Sequence, residues 1–181
     1  MVGIDSEIIR ERHEEYLQRE AFAVVEEDRL ETLPGAFRDG TYLFKDCEWV
    51  VRWYLRRPLD GETHEAETAF RTNRMDAIET AIDGAITGDT TAERLQSLLA
   101  LDGVDVRIAS AFLQFIDPER FATVAAPCWK ALVAAGDLDV PYPDPVRPSD
   151  YDRYLDECRE YARRADCRVV DVGRALWRIG Q

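Results

Sequence analysis

Lysine is almost missing from this chain. Of its 23 basic side chains only Lys45 and Lys130 are lysine, and they face 36 aspartates and glutamates, for a net charge of -13. Such an excess keeps a protein soluble and repels polyanions at long range, so total charge gives no argument for nucleic-acid binding. Lysine depletion with surplus acid is the pattern expected of a salt-adapted, solvated surface. In strong salt the screening length shrinks to about 3 Å at 1 M, and a local nucleic-acid contact stays permissible.

Other scarcities narrow the field. Two histidines, His13 and His64, and four scattered cysteines without a CxxC pair speak against a zinc site. Cys47, Cys128, Cys158 and Cys167 are expected to be free thiols. No cofactor or metal is expected. No apolar run nears the ~20 residues of a bilayer span, and "MVGIDSEIIRERHEEYLQRE" has no apolar signal core. The expected location is therefore cytoplasmic, with no membrane partner. Alternating strand patterns and fixed-period repeats are absent too, which removes an α/β sheet from consideration.

What is present reads as helix nearly throughout, and 181 residues suit one helical domain, 1–181. Ser6 is a candidate cap for the first helix. "LPGAFRDGTY", with Pro34, Gly35 and Gly40, reads as a loop. "KDCEWVVRWYLRR" sets Trp49, Val50, Trp53 and Tyr54 on one helical face, with Pro58 ending it. "LDGETHEAETAF" reads as a polar connection. "RMDAIETAIDGAITG" stripes Met75, Ile78, Ile82 and Ile86, closed by Gly88. Thr90 and Glu93 form a capping-box pattern. "GDLDVPYPDPVRPSD" reads as an extended surface loop. Two closing helices fill about 149–181, with Ser149 a candidate cap.

The segment from about 91 to 116 carries the most information. Leu95, Leu98, Leu99 and Leu101 bury one face of a helix. Gly103 then permits a strained turn, Val104 plugs the gap, and small Ala109, Ser110 and Ala111 allow a second helix to pack closely. Backbone N–H groups at the start of that second helix can receive a phosphate.

"LLALDGVDVRIASAFLQF" followed by "IDPERFATVAAPCWKAL" resembles the helix-hairpin-helix DNA glycosylase superfamily, the endonuclease III and alkylation-repair group. The resemblance implies an all-α fold, a hairpin that grips a DNA phosphate, and a catalytic aspartate opening the following helix. Three positions depart from the pattern. The aspartate falls at Ala125, and a methyl group cannot activate water. The Schiff-base lysine of bifunctional members falls near Arg107, which stays protonated. Asp105 replaces the second hairpin glycine and brings negative charge close to an incoming phosphate. The four-cysteine iron–sulfur loop of some relatives is absent as well.

The expectation is therefore a catalytically degenerate nucleic-acid-binding module rather than an enzyme. Gly103, Val104, Asp105 and Arg107 would contact double-stranded DNA, with Arg52, Arg56 and Arg57 adding salt-sensitive contacts. "WVVRWYLRRP" also has a purely structural reading, in which buried tryptophans and acid-paired arginines form a core helix; Arg71 and Arg74 admit the same alternatives. Two other functions stay open: a helical protein-interaction module without nucleic acid, and a glycosylase or lyase using a non-standard acid. Asp117 of "DPERF" is a candidate for that acid, against its reading as an Asp-Pro turn. Cys128 at a helix start is expected to be a packed thiol, Asp171 an N-cap-type or solvated residue, and Trp129 and Trp177 core.

Overall fold

The computed structural model describes residues 3–55 and 64–181. Among the described residues ten helices and no strand occur, in the order α1 Ser6–Arg19, α2 Ala23–Asp39, α3 Phe44–Leu55, α4 Glu65–Phe70, α5 Met75–Thr87, α6 Thr91–Leu98, α7 Val106–Ile116, α8 Ala126–Ala135, α9 Pro148–Ala165 and α10 Val169–Ile179. The all-α expectation is met. No helix of the described residues is long and apolar enough to cross a membrane.

Two helices form the interior. Every residue of α7 except Arg107 is buried, as is α10 from Val169 to Trp177. α7, apolar nearly all round, must be surrounded, whereas α10 takes Asp171 and Arg174 inside as ion-paired charges. α7 packs against α2, α3, α6 and α9, and α10 packs against α1, α8 and α9. The small Ala109, Ser110 and Ala111, all 0% exposed, let neighbours close in on α7. Where α1, α2, α3 and α10 meet, the fully buried Glu26 accepts hydrogen bonds from Tyr16 (2.7 Å), Trp53 (3.2 Å) and Arg174 (2.8 Å). Arg174 also bonds Glu27 and lies over the Tyr16 ring.

Several local expectations need correction. α2 runs straight through Pro34 and Gly35 to end at Gly40, whose φ of 66° is left-handed. Proline removes one helical donor, but burial of Leu30, Leu33 and Phe37 along one face holds the helix across the gap. The "EAETAF" half of the supposed connection is helix α4, fixed by buried Glu67 and Phe70. Asp5 rather than Ser6 caps α1, its carboxylate accepting from the Ile8 N–H; the Ser6 hydroxyl donates to the Arg164 carbonyl. α9 starts at Pro148 with Arg147 as N-cap, not at Ser149. Asp171 takes the capping-type role expected of it, its carboxylate accepting from the Arg168 N–H at the start of α10. It is buried rather than solvated, however, and also binds the Arg168 guanidinium through both carboxylate oxygens. The capping box of Thr90 and Glu93 is present as read, and the described cysteines are free thiols. Lys45 on α3 and Lys130 on α8 are both exposed. Pro58 lies outside the described residues.

Candidate functional site at the hairpin and the start of α8

The α6–α7 hairpin is built around one tight contact. Gly103 takes a φ of 77°, and a Cβ there would come within 2.2 Å of the Ala66 carbonyl oxygen and 2.7 Å of the Phe70 nitrogen. The glycine thus serves both the turn and the seating of α4 upon it. Val104 is buried as expected of a plug. Asp105 is not left-handed; with φ of -98° and ψ of -179° it is the extended N-cap of α7. Its Oδ1 accepts from the Ile108 N–H at 3.0 Å, and its Oδ2 accepts from Arg107 at 2.7 Å (Nε) and 2.6 Å (Nη2). One helix-terminal amide that a phosphate would seek is therefore already occupied by the chain's own carboxylate. Burial is the largest influence and works against the Arg107 charge, but the bond to Asp105 and its charge, with the two tyrosines Tyr54 and Tyr142, together raise the guanidinium pKa.

Downstream of α7, residues 121–125 are irregular and buried, a setting in which backbone polar groups need partners. Side chains supply them. Gln114 accepts from the Thr123 N–H and Ser110 from the Val124 N–H, both at 3.0 Å. Tyr151, Tyr154 and Tyr54 donate to the carbonyls of Ala122, Thr123 and Val124 at 3.1, 3.1 and 3.3 Å. This clamp delivers Ala125 to the N-cap position of α8, where it makes no side-chain cap.

Arg107 and Ala125 meet in one slot of about 250 Å³, walled by Tyr54, Leu55, Tyr142 and Trp177 and floored by Ala126 and Pro127. The end of α10 presses on that floor: a Cβ on Gly180 would lie 1.8 Å from the Pro127 carbonyl oxygen. Tyr54 and Tyr142 bring two phenol groups to the slot. Burial raises both, Tyr142 to about 12 and Tyr54 well above the ordinary tyrosine value. They remain neutral phenols at ordinary pH, able to bond and stack but unsuited to act as bases. No carboxylate of the described residues lines the slot.

The remaining site residues lie apart. Arg52 reaches the fully buried Glu67 at 3.3 Å, which Arg71 also binds at 2.9 Å while holding Glu48 at 2.5 Å. Arg74 pairs with Asp76. Trp53 is buried and Trp49 packs edge-on against Phe115, so the described part of α3 follows the structural reading. Arg56 and Arg57 lie outside the described residues. Asp117 caps the opposite end of α7 and lines a different cleft. Cys128 is buried, with its thiol donating to the Gly173 carbonyl at 3.4 Å. Trp129 is core as expected, whereas Trp177 also walls the slot.

Arg107 and Ala125, placed by the hairpin resemblance, line the slot, but Tyr142 arrives from the proline-rich loop with no periodic signal to mark it. Ser110, expected only to allow close packing, also bonds the clamp. No family model, curated protein or solved structure matches the chain.

Proposed function

We propose that this chain is a non-catalytic nucleic-acid-binding module of the helix-hairpin-helix glycosylase type, taking one unstacked planar ring into the aromatic slot. The supporting observation is the slot itself, which joins the second hairpin helix at Arg107 to the helix start at Ala125. Tyr54, Tyr142 and Trp177 offer the π surfaces and phenol groups on which a nucleobase stacks and hydrogen-bonds; stacking of this kind is worth about 1–3 kcal/mol per base. With alanine at the helix start, and two neutral phenols and a carboxylate-paired guanidinium as the polar groups of its lining, the slot can hold a ring but has no group to activate water.

The decisive measurement is fluorescence anisotropy with matched, mismatched and abasic duplexes across a salt series. Expected are tighter binding to the mismatched duplex, weakening on Tyr142→Ala, and no base release. Absence of binding at every salt concentration that keeps the protein folded would refute the reading. Base release by the wild type that Asp117→Asn abolishes would instead establish an enzyme with a non-standard acid.

A second reading is favoured by a different observation. The groove beside the hairpin is lined by Glu65 and Asp105, and Arg52, Arg71 and Arg107 are all engaged by carboxylates. Such a surface suits a basic protein partner. Co-purification of a basic partner that Asp105→Asn releases would favour this reading over nucleic acid.

A further inference from the structure

A second cleft lies at the other end of α7, roughly 16 Å from the slot at 1.5 Å per residue. It encloses about 580 Å³ between α2, α6 and residues 116–120, within the range of small-molecule sites. Four arginines line it, Arg38, Arg94, Arg120 and Arg168, together with Glu31, Asp117 and Glu119.

On so acidic a chain most arginines are neutralised at close range. The described arginines whose guanidinium has no carboxylate within 4.0 Å are Arg10, Arg38, Arg94 and Arg147, and two of these line this cleft. Arg120 reaches Asp117 only at 3.9 Å. Arg168 is committed to Asp171 at 2.8 Å. Arg94 donates to the carbonyls of Ala85 and Ile86 at the end of α5 and lies 5.9 Å from the centre of the buried Phe121 ring. Arg120 and Arg159 approach the same ring at 5.7 and 5.5 Å. Three guanidiniums thus gather around one phenyl ring with loose counter-charges. Burial above all, with repulsion from Arg120, lowers the Arg94 pKa against the pull of Asp117 and Asp89.

We infer that this cleft binds a compact, phosphate-bearing small molecule, its oxyanion held by Arg38, Arg94 and Arg120. Guanidiniums suit a phosphate because their forked donors match its oxygens. Glu31 and Glu119 on the same walls repel an extended polyanion, whereas one phosphate among the arginines is tolerated. The assignment does not depend on the slot, and a slot variant separates the two.

Isothermal titration of the full chain with inorganic phosphate and with pyrophosphate, at constant ionic strength against a chloride control, tests it. Saturable pyrophosphate binding is expected, weakened at least about tenfold by the double variant Arg38→Gln/Arg120→Gln and unchanged by Arg107→Gln. Arg38 and Arg120 are exposed, so the double variant should fold; its thermal unfolding is checked alongside. No saturable heat, a response equal to chloride, or equal affinity in the double variant would each overturn the inference. A single-stranded oligonucleotide that depends on Arg38 and Arg120 while pyrophosphate fails to bind would overturn it too, by assigning the cleft to backbone phosphates.

Discussion

Arg174 and Glu26 are each 1% exposed at the side chain, and a buried charge is tolerated only when paired and hydrogen-bonded. Arg174→Met would leave Glu26 with its Tyr16 and Trp53 donors but without a counter-charge, a loss expected to cost about 3–5 kcal/mol. Adding Glu26→Gln should recover a large part of it. Urea unfolding of the two single variants and the double gives the coupling, and strictly additive losses would mean that the pair does not act as a unit. His13 is a second sensitive group. Burial lowers its pKa, with Asp171, 3.4 Å away, pulling the other way. The unfolded chain therefore binds this proton more readily than the folded one. Its contribution is complete above the ordinary histidine pKa of about 6.5 and is lost as pH falls through the lower folded value. Melting temperature should drop between about pH 7.5 and pH 5.5, and His13→Gln should flatten that drop. Neither group was legible as special in the sequence, because each acquires its environment from helices far apart in the chain.

Elements with a local chemical signature could be read; those made by tertiary contact could not. The Met75, Ile78, Ile82, Ile86 stripe, the Thr90–Glu93 box and the glycine turn at 103 each announce themselves within a few residues. α2 was hidden because Pro34 and Gly35 spell a loop locally, whereas the packing of Leu33 and Phe37 overrides them. α4 was hidden because its polar sequence conceals one buried glutamate, Glu67, bound by Arg52 and Arg71. The two kinds of element should respond differently to mutation. Thr90→Ala removes one cap and should cost about 1 kcal/mol. Gly103→Ala should cost more than the about 1–2 kcal/mol of left-handed strain alone, since its Cβ also collides with the Ala66 carbonyl. Equal urea midpoints for the two variants would show that α4 is not seated on the hairpin. Of the candidate site, Arg107, Ala125 and the Asp105 departure were legible only through the resemblance carried by the hairpin motif. The aromatic walls were not, because Tyr54, Tyr142 and Trp177 come from three separate stretches.

At the scale of the whole molecule the net charge of -13 sets up self-repulsion that disfavours the compact state and that salt screens. Thermal stability is accordingly expected to rise from low salt to about 1 M potassium chloride, where the screening length is about 3 Å. Scanning calorimetry across that range checks it, and a flat or falling melting temperature would count against a salt-adapted surface. The same bias leaves a practical mark on the surface. With lysine confined to two exposed positions, Lys45 on α3 and Lys130 on α8, amine-directed reagents meet few acceptors besides a chain terminus. A succinimidyl dye would report from few places, one of them on the helix that opens at the slot. Cross-linkers of that chemistry would capture chiefly partners that present a nucleophile near α3, α8 or the terminal amine.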